Sequence, residues 1–432
     1  MILYRDDSHW CPYCQKVQML LELKRVPYVI STVPMSCYGA KPAWYLNLMP
    51  SGMIPSAELD GRLLRSSDDI IAAVERRFTD IPTMPASGTA LSDRAAAALR
   101  LEREVFGCWM RWVTSRGKGF AGGLEMAMVR ALQRVNDALP DPRESRSAFF
   151  LGDAFGPSPS LVDVCFAPFL ERMAASLPFF KGFRVRGGGF DRLDRWFGAM
   201  EDFEPYAELM GDFYSHAYSL PPQLGGCPLD SDEIARRVAA PPLADGAPAA
   251  PPGGHAAWFL PLRRLAPDDP EFYEFMRDED MGQSRAAAAA ALRGNQERVA
   301  KFAMRGAAAA GVGAAAARGR RYAPLADPDM AVSTSGAENA ATYEAVMAAL
   351  DVVIRALETN GAQGADDVRA AASRSMENVR GLCSGGEVDA GDVVASLAYL
   401  RDRIGVPRDM SFAAARQARA HVSWAIGGMR SS

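Results

Sequence analysis

The chain has 432 residues, 49% of them apolar and 23% charged, with a net charge of -4. That composition suits two or three globular domains, leaves no basic footprint for nucleic acid, and contains no run of about eighteen apolar residues to span a membrane. Seven cysteines over this length do not make a disulfide framework and favour a reducing compartment.

The first residues, "MILYRDDSHW", lack the layout of a signal peptide and open on a short apolar strand. After "CPYC", Val17, Leu20 and Leu21 recur at the spacing of a buried helix face. "PYVIST" predicts a second strand, and "SAELDGRLL" sets Asp-Gly between two strand-like runs, the chemistry of a tight hairpin. "SSDDIIAAVERRF" starts with serine caps and early acids and continues as a helix. The order β-α-β, hairpin, α over residues 1–80 is that of a thioredoxin-like domain, so the expected fold is α/β followed by an all-α domain.

Residues 88–228 read as helical throughout. In "SPSLVDVCFAPFLERM", Ser160 stands three residues before Asp163, a capping arrangement with a structural role. Residues 229–257, including "PPLADGAPAAPPGGH", are Pro/Ala/Gly-rich and predict a linker. Residues 258–432 form an alanine-rich helical extension. Its "QSRAAAAAALRG" stretch has a thin apolar stripe that glycines should interrupt, whereas "ATYEAVMAALDVVIRALE" is amphipathic through Val346, Leu350, Val353 and Leu357. "DVVASLAYLRDRIG" and "SFAAARQARAHVSWAIGG" predict two further helices, and no catalytic constellation is visible among them.

Cys11 and Cys14 are the residues that carry chemistry. A zinc site would need two more ligands at matching spacing, but no second C-x-x-C follows and the four histidines are scattered, so no metal is expected. A structural disulfide across the helix start is the other alternative. A C-x-x-C between a strand and a helix favours redox chemistry, because free N–H groups and the helix dipole stabilise a thiolate there. Cys11 is the expected nucleophile, exposed at the helix start, and Cys14 a more buried candidate resolving thiol.

Pro55, after Ile54 and just before the hairpin, suits a cis peptide, and its loop can pair with an extended peptide. The alternative is an ordinary turn proline. Ser66, Ser67 and Asp68 open the next helix, where free N–H groups suit a carboxylate, although plain capping would use the same residues. Lys41 is a second carboxylate partner or a solvated surface lysine. Together these groups describe a pocket for a small acidic thiol peptide, and glutathione fits it. Trp109 and Trp112 could line an acceptor site, but at helical spacing such aromatics are more often core.

"CPYC", "KPAWYLNLMPSGMIPSAELDGRLLRSSDDI" and "SPSLVDVCFAPFLERM" resemble, in that order, a glutathione S-transferase of the cysteine type. "YRDDSHWCPYCQKV", "SCYGAKPAWY", "DFYSHAYSLPPQLGGC" and "VPRDMSFAAARQARAHVSW" are similar to the iota-like class of photosynthetic organisms, in an algal version. The resemblance covers about residues 2–228 and implies a homodimer that uses glutathione as co-substrate. It implies reduction of glutathionylated or small disulfides, or of dehydroascorbate, rather than conjugation of electrophiles. In that pattern Cys11 takes the mixed disulfide, Lys41 the glycyl carboxylate, Ile54 pairs its backbone before cis-Pro55, and Ser67 holds the γ-glutamyl carboxylate. Relatives often carry an acid where this chain has Ser66, and Asp68 is the expected substitute. The competing class is a non-catalytic glutathione or hydrophobic-ligand protein whose extension recruits a partner. A cytoplasmic location is expected, or the chloroplast if a transit peptide precedes this sequence.

Overall fold

The computed structural model describes residues 1–37, 39–211, 213–230, 278–306, 337–358, 374, 377–383, 388–401, 403–406 and 408–429. The chain divides into two compact units, Met1–Ser231 and Asp232–Ser432. Residues 231–277, which hold most of the expected linker, lie outside the described residues, as does Tyr38 within "SCYGAKPAWY".

The first unit begins with strand β1 (Ile2–Asp6), helix α1 (Pro12–Leu23), strand β2 (Val29–Val33), helix α2 (Ala43–Leu48), strands β3 (Ser56–Leu59) and β4 (Arg62–Leu64), and helix α3 (Ser67–Arg77). The sheet order is β2-β1-β3-β4, with β1 parallel to β2 and antiparallel to β3. A parallel pair needs a crossover, and α1 supplies it, with Val17, Leu20 and Leu21 fully buried. The β3–β4 hairpin turns at Asp60 and Gly61, with φ of 51° and 77°, the left-handed pair that an Asp-Gly turn requires. Helix α2 is the element that periodicity did not predict. It is only six residues long, and of its side chains Tyr45 is the buried one.

The helical part follows as α4 (Ala90–Val113), α5 (Gly123–Ala138), α6 (Leu161–Ser176), α7 (Asp191–Glu201), α8 (Glu204–Leu209) and α9 (Phe213–Leu224). Helix α6 is its axis, with every side chain buried. The start of α6 is fixed as the sequence predicts: Ser160 donates to Asp163 from its N–H at 2.8 Å and from its hydroxyl at 2.7 Å. Asp163 also accepts from the Phe150 N–H and the Trp196 indole, both at 2.9 Å. Trp109 and Trp112 are core residues, 2% and 0% exposed, with indoles donating to Ser176 and to the Gly117 carbonyl.

The described part of the second unit holds α10 (Asp278–Arg293), α11 (Gln296–Ala303), α12 (Ala337–Glu358), α13 (Ala390–Arg401) and α14 (Phe412–Gly428). Gly294 separates α10 from α11, an interruption of the kind its composition predicts. Helix α12 packs against each of the other four, and Val346, Leu350, Val353 and Leu357 all lie in its buried face. The thin stripe of α10 works because alanine lets helices approach closely: Ala288, Ala289 and Leu292 are buried. Periodicity gave no hint of the buried Arg285, Arg401, Arg416, Arg419 and His421 in this unit.

Candidate active site

Cys11 is the N-cap of α1 and Pro12 its first residue, a position where the missing proline N–H costs nothing. The Cys11 Sγ accepts the Cys14 N–H at 3.4 Å. Across the site the Ile54–Pro55 peptide is cis, and the Ile54 carbonyl lies 4.0 Å from the Cys11 Sγ. Tyr45 holds this loop from beneath, donating to the Met53 carbonyl at 2.5 Å and lying 3.0 Å from the Ser56 hydroxyl.

Cys11 is 5% exposed, not open to solvent as its place at the helix start suggested. The cap turn is drawn inward because Asp6, at the end of β1, accepts the N–H groups of both Trp10 and Cys11, the latter at 3.2 Å. Asp6 is itself fully buried and paired with Arg5 at 3.3 Å. Burial pushes its carboxyl up, but Arg5, His9 and the two backbone N–H groups outweigh it and hold the acid below its ordinary value.

The two thiols diverge. A hydrogen bond from the Cys14 thiol is the largest influence on Cys11 and lowers its pKa against burial and the Asp6 charge. The Cys14 N–H and Arg5 act in the same direction. Burial drives Cys14 far upward, and the neighbouring Cys11 charge adds to it. Of the two thiols, Cys11 is thus the one whose ionisation the surroundings favour, and Cys14 the one they keep protonated.

The other expected site residues fall around this centre with different degrees of engagement. Lys41 precedes α2 and donates to the Pro34 carbonyl. Burial lowers its pKa, while the charges of Cys14, Asp6 and Cys11 act against that shift. Ser66 caps α3 by accepting the Asp69 N–H at 3.1 Å, and the buried Ser67 follows it. The N–H groups of Ser67 and Asp68 have no acceptor among the described residues and are open to an anion. Asp68 is already engaged: it pairs with Lys16 of α1 at 3.1 Å. The carboxylate is nevertheless 88% exposed, so the pairing occupies one side of it only.

Asp6, Cys11 and Cys14 offer ligand atoms within 4.8 Å of one another. They do not form a finished zinc set, because both Asp6 oxygens already accept from Arg5, Trp10 and Cys11, and a fourth ligand is needed.

Sequence reasoning missed Asp6, Tyr45, Gln15, Glu171, Arg172 and His216. Arg172 donates to the Trp10 carbonyl at 2.8 Å and to Gln15 at 2.7 Å, and Gln15 donates to Glu171 at 2.9 Å. The available signal was the charged pair Glu171–Arg172 inside an otherwise apolar helix. The tyrosine of the motif is held by the helical part as well: Tyr13 packs edge-on to Phe169 with ring centroids 5.4 Å apart, and Arg103 donates to its hydroxyl at 3.3 Å.

The first unit thus joins a thioredoxin-like sheet, with a cysteine-capped helix and a cis-proline loop facing it, to an all-helical part. Residues 10–77 match the family model for the glutathione S-transferase N-terminal domain, and residues 94–199 match that for the C-terminal domain. Over these two stretches the chain is thus similar to both domains of the glutathione S-transferase family. The chain is 28% identical over 177 residues to glutathione S-transferase DHAR3, chloroplastic, of Arabidopsis thaliana, an alignment covering 40% of this chain and 59% of that protein. It is 27% identical over 177 residues to glutathione S-transferase DHAR2 of the same plant, covering 40% of this chain and 72% of the relative. With glutathione S-transferase L1 of Arabidopsis thaliana it shares 26% over 206 residues, 48% of this chain and 80% of the other. Among solved structures, Chlamydomonas reinhardtii dehydroascorbate reductase aligns at a TM-score of 0.42 with 19% identity, over 50% of this chain and 95% of that one.

Proposed function

We propose that the first unit is a glutathione-dependent thiol transferase that works by thiol–disulfide exchange at Cys11. The observation that carries this is the split thiol pair: a lowered Cys11 pKa beside a strongly raised Cys14, under the Ile54 carbonyl. A conjugating enzyme needs the glutathione thiolate itself to be the nucleophile, and Cys11 would compete with it.

In the first step the Cys11 thiolate attacks the glutathionyl sulfur of a mixed disulfide. The Cys11–glutathione disulfide forms, and the substrate leaves as a thiolate that takes up a proton. A second glutathione thiolate then attacks the glutathionyl sulfur, forming oxidised glutathione and restoring the Cys11 thiolate. With dehydroascorbate, which the sequence resemblance also implies, the Cys11 thiolate would add to a carbonyl carbon. A first glutathione thiolate would then attack the Cys11 sulfur, releasing ascorbate and forming the Cys11–glutathione disulfide, and a second would free Cys11 as oxidised glutathione forms. Cys14 supports a monothiol route, because a fully buried thiol of raised pKa is a poor attacking group and a good hydrogen-bond donor to Cys11.

Lys41 and the open N–H groups of Ser67 and Asp68 are the proposed carboxylate holders, and the Ile54 backbone before Pro55 pairs with the cysteinyl residue of glutathione. Ser66 contributes as the cap that fixes the start of α3. The iota-like, algal assignment belongs to this proposal and rests on the quoted sequence stretches. So does a homodimer, which light scattering of the full chain would detect as a doubled mass. The test is disulfide reduction with glutathione in wild type, Cys11→Ser and Cys14→Ser. Turnover in wild type and Cys14→Ser but not Cys11→Ser is expected. Glutathione binding with no wild-type turnover would favour the ligand-binding or scaffold alternative instead.

A further inference from the structure

Helix α6 buries two opposite charges, Glu171 and Arg172, at 1% and 2% exposure. Burying ions is unfavourable unless they are paired and fully hydrogen-bonded, and an apolar pair would join two domains at least as well. Their partners are therefore informative, and two of them, Trp10 and Gln15, belong to the segment that carries Cys11. Arg172 donates to the Trp10 carbonyl at 2.8 Å, and to Gln15 and the Pro168 carbonyl at 2.7 Å each. Glu171 accepts from Gln15 through one oxygen at 2.9 Å. Through the other it accepts the Gly211 N–H at 2.7 Å and meets the His216 imidazole.

Trp10 is thus gripped from both sides. Its N–H is taken by Asp6 of the sheet and its carbonyl by Arg172 of the helical part. Gln15, on α1, is held at both ends of its amide by the two opposite charges. The Arg172 guanidinium also interacts electrostatically with the Cys11 sulfur and with Asp6. His216 and Gly211 lie in and beside "DFYSHAYSLPPQLGGC", so that segment closes the network: a Cβ on Gly211 would come 2.6 Å from the His216 ring.

We propose that Arg172, locked in place by Glu171, His216 and Gln15, is a positioning residue for Cys11. It fixes the Trp10–Cys11 peptide from the helical domain and sets a buried cation beside the thiolate. The inference rests on Cys11 being the nucleophile, and it does not depend on which disulfide or acceptor is reduced.

The test reads Cys11 directly. The full-length protein is alkylated with iodoacetamide from pH 5 to 10, and the Cys11 peptide is followed by mass spectrometry, without glutathione. The other groups acting on Cys11, namely Arg5, Asp6, Cys14 and Lys41, stay unchanged in every variant. In Arg172→Met the midpoint should rise by about one pH unit, so that alkylation at pH 6 slows about tenfold. Rates near pH 10 should stay within about twofold of wild type. Arg172→Lys should recover part of the shift because it keeps the charge. The Glu171→Gln/Arg172→Met double variant leaves neither member of that pair as an unpaired buried ion, and it covers the case in which the single variant does not fold. A native near-UV spectrum with a Cys11 profile superimposable on wild type, in either variant, overturns the proposal. Failure of the glutathione assay alone leaves this measurement intact.

Discussion

Both units of this chain bury charged side chains as structural ties, Asp163 at the start of α6 among them, but the first also gathers a set of them around its reactive cysteine. In Met1–Ser231 the buried Arg5, Asp6, Gln15, Glu171 and Arg172 converge on the residues around one sulfur. In the described part of Asp232–Ser432, the buried Arg419 donates to the Ile404 carbonyl at 2.6 Å and His421 meets the Gln417 carbonyl at 2.7 Å. Burial pulls His421 down to about 3, so it stays neutral across the physiological range. These bonds tie helices and their connections together. Buried polarity alone therefore does not mark a reactive site; convergence on one nucleophile does.

The largest expected effect comes from removing that point of convergence. Cys11→Ser should cut glutathione-dependent disulfide reduction by at least about a hundredfold while leaving the melting temperature nearly unchanged, as a coupled assay and calorimetry will report. Asp6→Asn should destabilise the first unit by about 3–5 kcal/mol, because Arg5 would keep a buried charge with its carboxylate partner gone. The sign of the pH dependence follows from the lowered Asp6 pKa. Its stabilisation is present above the ordinary carboxylate range and is lost as pH falls through the folded value. Urea titrations at pH 7 and at about pH 2.5, below the ordinary carboxylate range, should show this loss in wild type and a smaller one in Asp6→Asn.

In the second unit, Leu350→Ala should cost about 2–4 kcal/mol of that unit's stability, since the side chain is 1% exposed and leaves a cavity. Cys11 alkylation should not change. A matching loss of Cys11 reactivity would break the contrast between the units. Gly211→Ala should cost about 1–3 kcal/mol by driving a methyl into the His216 ring, and it should move Cys11 reactivity in the direction of Arg172→Met. Cys14→Ala, last in its effect on stability, should still raise the Cys11 alkylation midpoint by at least as much as Arg172→Met, about one pH unit or more, as the hydrogen bond that acts most on Cys11 is lost.

The hairpin at Asp60–Gly61, the capping of α6 by Ser160 and Asp163, and the buried stripe of α12 were all legible in the sequence. Each depends on neighbours within a few residues, so backbone conformation and periodicity are enough to specify it. The position of Cys11 was legible for the same reason, because Pro12 and the helix that follows fix it as a cap. The degree of its burial was not. Asp6 and Trp10 are close in sequence, but nothing local states that a strand-end carboxylate turns under the cap. Arg172 reaches Trp10 across 162 residues, and Gln15 reaches Glu171 across 156. No local pattern encodes such pairs, since Glu171 and Arg172 each read alone as a surface charge on a helix, and nothing near Trp10 or Gln15 announces a distant partner.

The sequence by itself determined which thiol stands at the helix start and which loop carries the cis-proline. Only the tertiary structure decided that Asp68 is already held by Lys16 and that Trp109 and Trp112 belong to the core. It also decided that the helical domain sends an arginine to the Trp10 carbonyl, next to Cys11 in the chain. The physical reason is that hydrogen bonds and charges act over a few ångströms in space, whatever the separation along the chain.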